Sequence, residues 1–390
     1  MTTRCAVSWE SALEAESTAA SEPAGLAWRR AACGVSLGLA AYASLRLGAQ
    51  FPAFTDRWYS QGFFRYLSRA LSSVTRLLPV STAELGLFCA GVALVVLVLR
   101  DLRQLRAGRA GILMLLGRRL LDLCALAGLL YALFVGLWGL NHSRLPYAEH
   151  ASLQLQAVES AELERLLLEL VGECNREVAA VLPADLRVPP SGVSNDSRLE
   201  RAFGRLGLSV PALAGGRSAN LRRPWSSGAL SALGISGIYS PFTGEAHLNA
   251  ELPLAAQPFT ACHEEAHGRG FAREDEANFI AWQACREADS AAFRYSGAYV
   301  ALNLVHRALW RIKPEVARSS LQGLDERVLR DRDESRSFWD SKRTQATHVA
   351  RRTNDLYLKS QGQAAGTASY GRMLDLLLAE RRRDGPLAER

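Results

Sequence analysis

Residues 262–285 read CHEEAHGRGFAREDEANFIAWQAC, and they contain the pattern His-Glu-x-x-His at positions 263–267. On a helix, side chains four residues apart lie on one face, so His263 and His267 can bind the same metal ion. Glu264 then points towards the open side of that ion, where it can act as a general base on bound water. The segment therefore predicts a helix with a Zn²⁺ site whose first two ligands are these histidines.

The residues that follow offer a third ligand. The glycine-containing turn at 268–270 predicts the end of the first helix and a tight reversal, after which three acidic residues open a second helix. A catalytic zinc uses three protein ligands and leaves one position for water. Glu274 is the favoured ligand, and Asn278, one turn further on, is a candidate to orient a ligand histidine. Glu276 and then Asp275 are the alternatives, and the competing reading is that all three acids simply favour the helix N-terminus.

The stretch before the metal helix, GISGIYSPFTGEAHLNAEL at residues 234–252, combines β-branched and aromatic residues with Gly and Pro turns. It predicts one or two short strands. The part that ends in Glu245, His247 and Asn249 is expected to be the edge strand that pairs with an extended peptide. Three side chains are candidates for stabilising an oxyanion, although such residues are more often packed or on the surface: His247, Tyr239 and Tyr295.

Helical periodicity dominates the rest of the chain from Pro146 to Arg390, which is expected to fold as one domain. A helix is predicted from Ser160 to Leu182, with Ser160 as its N-cap. Further helices are predicted after Gln257, at residues 258–268, 274–298, 299–312 and 370–382.

Three apolar segments lie within the first 143 residues and are predicted to cross a membrane. The strongest, LCALAGLLYALFVGLWGLNHS at residues 123–143, has 21 residues without a charge. That length is enough for a hydrocarbon core of about 30 Å. The other two segments are residues 31–54 and 78–99, which contain Arg46 and Glu84, respectively.

Arginines set the expected orientation of these segments. The loop between the second and third segments holds six arginines, so we expect it to be cytoplasmic and the domain after Asn141 to lie on the outer face. Four arginines between Arg57 and Arg76 compete with this assignment. The stretch GFFRYLSRALSSVTRLL at residues 62–78, however, predicts an amphipathic helix that lies in the membrane interface.

Composition excludes several other classes. The net charge of +7 comes largely from arginines in loops between apolar segments, and no aromatic-interleaved basic stripe predicts a nucleic-acid partner. Seven cysteines without a CxxC pair indicate neither a disulfide scaffold nor a zinc ribbon. Cys262 and Cys285 bracket the metal motif, and they either pair in an oxidising compartment or remain two buried thiols.

The combination of HEEAH and EDEANF resembles the gluzincin class of zinc metallopeptidases, in which a glutamate on the second helix is the third ligand. The N-terminal apolar helices, GISGIYSPFTGEAHLN, CHEEAHGRGFAREDEANF and the later YSG resemble more closely a bacterial family of membrane-anchored HExxH proteins of unknown function. One departure is that only residues 268–273 separate His267 from Glu274, fewer than in most gluzincins. A glycine three residues after the second histidine is similar to metzincins, but Arg273 replaces their third histidine.

The sequence thus predicts a mainly α protein, with transmembrane helices in residues 1–145 and a zincin-like α+β domain with a small sheet or edge strand in residues 146–390. The expected activity is zinc-dependent hydrolysis of peptide bonds, with Glu264 as the base. The expected partners are a peptide or protein substrate and the lipid bilayer of the cell membrane, with the catalytic domain on the extracytoplasmic face. The alternatives are a membrane-bound sensory or binding protein with a structural zinc, and a zinc amidase that acts on envelope material.

Overall fold

The structure is a computed structural model that describes residues 24–189, 197–214, 219–360 and 372–387. This part of the chain is mainly helical and carries one small mixed sheet, as predicted. Its longer helices are α1 (Ala24–Gln50), α2 (Phe64–Thr75), α3 (Thr82–Arg106), α4 (Ile112–Leu137), α5 (Ser160–Ala179), α6 (Ser197–Ser209), α7 (Ser227–Leu233), α8 (Gln257–Gly268), α9 (Glu274–Arg286), α10 (Ala291–Ile312), α11 (Pro314–Ser320), α12 (Glu326–Ser341), α13 (Gln345–Ser360) and α14 (Met373–Asp384).

Shorter elements connect these helices. The strands are β1 (Asn220–Arg222), β2 (Gly237–Ser240) and β3 (Glu245–Leu248). A π-helical segment occupies Thr55–Phe63. Single helical turns lie at Pro52–Phe54, Gly139–Ser143, Tyr147–His150, Pro183–Leu186, Pro211–Leu213 and Leu254–Ala256.

The chain divides into two compact units, and their limits differ from the predicted boundary at residue 145. The first unit holds the described residues up to Arg46 together with Cys89–Gly136. The second holds Leu47–Phe88 and the described residues from Leu137 onwards. Residues between the first two apolar segments join the second unit because they contact it directly; the guanidinium of Arg65 on α2, for example, donates to the Pro211 carbonyl at 2.9 Å.

Three helices of the described chain are long and apolar enough to cross a membrane: Gly25–Gln50, Thr82–Arg106 and Ile112–Leu137. They agree with the three predicted segments in number and place, but the third ends six residues before the predicted Ser143. Trp138 leaves helical geometry there, with φ −156°, and Gly139–Ser143 form a 3₁₀ turn. Charged side chains on these helices pair within the first unit, since Arg119 contacts Asp101 at 2.7 Å and Asp122 at 2.8 Å.

The core of the second unit is helical. Helix α5 packs along α10, while α8 packs against α9 and α9 against α10. The buried stripe of α5 repeats at three and four residues, which is the period that keeps one face of a helix inside. Each buried leucine of that stripe contributes about 1.5–3 kcal/mol to folding. Its members include Leu163, Leu166, Leu167 and Leu170.

The sheet has the order β1-β3-β2, so β3 is central and the predicted edge strand is misplaced. Strand β3 runs parallel to β1 and antiparallel to β2, with Ile238 opposite His247. All four residues of β3 are buried, which is why its alternating sequence does not mark an edge. Among the described residues, β2 is instead the edge strand that lies beside β3 on the side of α8, and it includes Gly237 and Tyr239.

Two helix boundaries also differ from the predictions. The residue that precedes α5 is Glu159, whose backbone N–H donates to the Glu162 carboxylate at 3.4 Å, so Glu159 rather than Ser160 is the N-cap. The predicted break at residues 298–299 lies instead between Arg286 and Ala291, because Ser290 adopts an extended backbone. The last helix begins at Met373, and its predicted start at residue 370 lies outside the described residues.

Candidate metal centre

The structure brings His263, His267 and Glu274 together. The Nε2 atoms of the two histidines are 3.1 Å apart. Nε2 of His263 lies 3.3 Å from one carboxylate oxygen of Glu274, and Nε2 of His267 lies 3.7 Å from the other. A tetrahedral metal with bonds of about 2.0–2.1 Å separates its ligand atoms by about 3.3 Å. The three side chains therefore have the geometry of a ligand set that could hold one metal ion.

A compact turn after α8 makes the short spacing between the second histidine and Glu274 possible. The N–H of Gly270 donates to the carbonyl of His267 at 2.9 Å, and that of Phe271 donates to the carbonyl of Ala266 at 3.1 Å. This pair of bonds is a Schellman motif, which needs a left-handed residue at its centre. Gly270 has φ +83°, and a Cβ atom there would lie 2.9 Å from the side-chain oxygen of Asn141. The chain reverses here and α9 begins at Glu274.

The two alternative acids are held elsewhere. Glu276 is buried, and one of its oxygens accepts from the backbone N–H of Tyr147 at 3.0 Å and from Arg273 at 2.9 Å. Asp275 accepts from the backbone N–H of Glu276 at 3.0 Å. Glu274 is thus the acid of this turn that reaches the histidines, in agreement with its first rank in the sequence.

Burial, hydrogen bonds and neighbouring charges together shift the pKa values of the two histidines in opposite directions. Nδ1 of His267 lies 2.8 Å from the carbonyl of Phe271, a contact that needs a proton on Nδ1 and leaves Nε2 with its lone pair. Burial lowers the pKa of His267 to about 4, so its imidazole is neutral at neutral pH. Burial acts against protonation of His263 as well, but the neighbouring Glu274 carboxylate outweighs it and raises the pKa of His263. A dication at this place would replace that proton.

Asn278 lies near His263, where it also favours the protonated ring and so raises the pKa of His263. Nδ1 of His263 is nevertheless buried and forms no hydrogen bond with any residue that the structure describes. The predicted orienting role of Asn278 therefore stays a prediction.

The predicted base, Glu264, is 3% exposed, and its Oε2 atom is buried without a hydrogen-bond partner among the described residues. Burial raises the pKa of Glu264 to about 8. A nearby dication would lower this pKa and keep the carboxylate ionised at neutral pH, the form that can accept a proton. Gly237 of β2 lies directly against this side chain, because a Cβ atom there would lie 2.5 Å from Oε1 of Glu264.

The other glutamate of the motif, Glu265, accepts from the backbone N–H of Ala219 at 2.8 Å, which ties α8 to the chain just before β1.

Two of the three predicted oxyanion candidates have other partners. Nε2 of His247 lies 2.8 Å from the hydroxyl of Ser81, and its Nδ1 lies 3.3 Å from the carbonyl of Ile238. The hydroxyl of Tyr295 donates to Asp331 on α12. Both side chains therefore make these polar contacts with residues other than the candidate ligands.

The third candidate, Tyr239, is buried against α8, since a Cβ atom on Gly268 would lie 3.5 Å from its ring. Burial and the Glu265 carboxylate raise the pKa of its hydroxyl. Its position beside the metal helix agrees with the sequence analysis, and its role remains a prediction.

The sequence analysis missed a second group of aromatic residues at the centre. Trp138 donates from Nε1 to the carbonyl of His267 at 3.2 Å, and its ring contacts that of His142 edge-on. His142 is buried, and burial lowers its pKa to about 3. Its Nε2 lies 3.3 Å from the hydroxyl of Tyr357, whose pKa is raised by burial and by the Glu274 carboxylate. A tyrosine hydroxyl therefore lies close to the candidate ligands.

Neighbouring polar contacts connect the sheet to the start of α3. Both carboxylate oxygens of Glu245 on β3 accept from α3, at 3.1 Å from the backbone N–H of Thr82 and at 2.7 Å from its hydroxyl. Glu245 also pairs with Arg222 of β1 at 3.3 Å. Cys262 and Cys285 are both thiols rather than a disulfide, with their sulfur atoms 3.7 Å apart in the interface of α8 and α9.

Comparison with known proteins gave one match. A family model described as "Protein of unknown function (DUF3810)" matches residues 59–378, most of the chain and all of the candidate metal centre. No curated protein and no solved structure matches the chain.

Proposed function

The chain belongs to the DUF3810 family, and from the geometry of its metal centre we propose that it is a membrane-anchored zinc peptidase of the HExxH type. The proposal includes Zn²⁺ as the cofactor, a peptide or protein as the substrate and gluzincin-like use of Glu274 as the third ligand. The three apolar helices would anchor it in the cell membrane. The arginines at the end of α3 and the start of α4 favour a catalytic unit on the extracytoplasmic face.

The observation that carries the proposal is the convergence of two histidines and one carboxylate beside a buried free carboxylate. Three protein ligands leave a coordination position open, whereas a structural zinc site closes its shell with four. The buried Oε2 of Glu264, which has no hydrogen-bond partner among the described residues, supports its role as the base, since a structural or sensory site has no use for such a group. The combination therefore favours hydrolysis over the structural and sensory alternatives.

A zinc ion held by His263, His267 and Glu274 would supply a bound water with a pKa lowered towards about 7 and a Lewis acid for the scissile carbonyl. Glu264 accepts the proton of the attacking water and then delivers it to the leaving amine. The Tyr357 hydroxyl, supported by His142, donates a hydrogen bond to the oxyanion. His263, His267 and Glu274 keep the reacting groups in place.

Strand β2 supports an extended peptide as the substrate. The N–H of Asn249 donates to the carbonyl of Ser236 at 3.0 Å, and antiparallel pairs alternate between bonded and non-bonded residues. Ile238 and His247 are thus a bonded pair, so Gly237 and Tyr239 turn their backbone groups away from β3. A peptide that pairs with these groups would lie beside Glu264, which Gly237 contacts. This arrangement is less suited to an amidase with a small, closed substrate pocket.

The experiment that tests the proposal compares the full chain with its Glu264→Gln variant in detergent micelles. We expect about one zinc per chain in both proteins, and cleavage of a broad peptide library by the native chain alone. The loss should be roughly 10²–10⁴-fold, as for removal of a general base. Zinc binding without cleavage in both proteins would contradict the peptidase proposal, and a chain that binds no zinc under metal-replete conditions would refute the metal site itself.

A further inference from the structure

A second candidate site lies beside the metal centre. Helices α10, α11 and α12 enclose a cavity of about 940 Å³, within the range of sites that hold small ligands or peptide side chains. One end of the cavity is lined by Ser236 and Asn278. Ser236 precedes Gly237, which contacts Glu264, and Asn278 lies near His263. The cavity therefore adjoins the residues that surround the candidate ligands.

Arginines dominate the charged lining of this cavity, although Arg318 pairs with Glu315 and Arg336 with Asp333. A single acidic residue, Asp340, lines it, and this carboxylate pairs with Arg343 at 2.8 Å. Within the described parts of the chain, no carboxylate forms an ion pair with either Arg307 or Arg332. The cavity is lined by five arginines in all: Arg307, Arg318, Arg332, Arg336 and Arg343.

Two nitrogen atoms of the cavity lining are buried without a partner in the described part of the chain. Nη1 of Arg332 is shielded from solvent and has no hydrogen-bond partner among the described residues, and the same holds for Nε2 of His306. Burial, followed by the charges of Arg332 and Arg307, lowers the pKa of His306 to about 4. A buried donor without a partner destabilises the fold, and more so when it is charged. An anion that entered the cavity could satisfy this free donor of Arg332.

The walls of the cavity add an apolar component. Trp310 is 43% exposed, and the guanidinium of Arg318 lies over its ring at 5.4 Å. Trp339 and Leu304 also line the cavity. Arginine forks bind carboxylates with two parallel hydrogen bonds, while tryptophan rings cover the aliphatic part of the same ligand. The lining thus suits a carboxylate carried on a short apolar stem.

We propose that this cavity binds an acidic segment of a peptide substrate, with Arg332 and Arg307 holding an Asp or Glu side chain or a terminal carboxylate. The identity of the ligand as a peptide rests on the proposed peptidase function. A peptide paired with β2 would pass Ser236 on its way to the cavity, so its acidic residue would lie a few positions from the scissile bond. The cavity would then determine which peptides are cut.

The test measures binding separately from cleavage, in the full chain carrying Glu264→Gln in detergent micelles. The probes are two fluorescein-labelled decapeptide pools that differ only in fixed Asp and Glu or fixed Asn and Gln at two positions. We expect the acidic pool to bind at least about tenfold more tightly, as two charge-assisted hydrogen bonds imply. Arg332→Gln and Arg307→Gln should each reduce that ratio at least about fivefold, and Arg332→Lys should restore part of it.

The matched control is Arg330→Gln on the same helix, because Arg330 is exposed and pairs only loosely with Glu326 at 3.8 Å. It should leave the ratio unchanged. Thermal unfolding of each variant separates loss of the site from loss of the fold. Equal binding of the two pools would overturn the inference, as would a preference that survives Arg332→Gln, or binding restricted to a pool with phosphoserine in place of the acids. If the acidic preference holds but the native chain cleaves neither pool, the peptidase proposal fails and the cavity assignment stands.

Discussion

The close contact between β2 and the predicted base leads to a sharp prediction for Gly237→Ala. The added Cβ atom would lie 2.5 Å from Oε1 of Glu264, 3.0 Å from its Cδ and 2.9 Å from Cγ2 of Thr260. Ordinary carbon contacts begin near 3.4–4.0 Å, so the strand and the carboxylate must separate by about 1 Å. Such overpacking costs about 1–3 kcal/mol of stability, and a displacement of this size at a reacting group costs roughly 10²-fold in rate.

The assay pairs metal analysis with kinetics. Since the added methyl group touches none of the three candidate ligands, Gly237→Ala should retain about one zinc per chain while kcat/KM falls roughly 10²-fold. Gly228→Ala is the matched control, because the nearest atom to its Cβ, Oε1 of Glu251, lies at an ordinary 3.5 Å. A Gly237→Ala variant with full zinc content and a rate within twofold of the native chain would show that β2 does not position Glu264.

Three further predictions address other parts of the site. Tyr357→Phe should keep the zinc and lower kcat roughly 10²–10³-fold, as loss of an oxyanion donor does, and an unchanged kcat would exclude that role. Asp56→Asn should lower the free energy of unfolding by about 3–5 kcal/mol, measured by denaturant titration, because it leaves the buried Arg144 without the carboxylate that lies 2.9 Å away. Burial alone would raise the pKa of Asp56, but the hydrogen bond with His150 and the charge of Arg144 hold it below 3.8. This stabilisation should therefore be complete above pH 3.8 and disappear as the pH falls through the depressed pKa. Cys262 and Cys285 are fully buried, so thiol reagents should modify neither in the native chain and both after unfolding; rapid native labelling would contradict the packing of α8 on α9.

The convergence of His263, His267 and Glu274 could be predicted from the sequence because these residues are close together in the chain. Helix periodicity alone places His263 and His267 on one face, and a glycine turn with an acidic helix start is enough to bring Glu274 back to them. The same reasoning applies to the long apolar helices, whose hydropathy requires no knowledge of partners. These features depend on residues within a few turns of one another.

The remaining features depend on long-range contacts that periodicity does not encode. His142 meets Tyr357 across 215 positions of sequence, and Ser81 meets His247 across 166. The alternating pattern of β3 indicates a strand but not whether it is central or at an edge, because that depends on where β1 and β2 pair. The break before α10 was misplaced because residues 287–299 contain no Gly or Pro apart from Gly297, which lies within a helix.

The carboxylate of Glu245 fixes the distance between the start of α3 and the proposed catalytic residues. It holds β3 to Thr82, the first residue of the apolar helix α3, while Ser240, directly opposite Glu245, is only three residues along β2 from Gly237. At about 3.3 Å per residue, the strand that would receive the substrate extends roughly 10 Å from that anchor to the base. If α3 spans the bilayer and the peptidase proposal holds, cleavage should be restricted to chains that pass close to the lipid surface, and bonds farther out should stay intact.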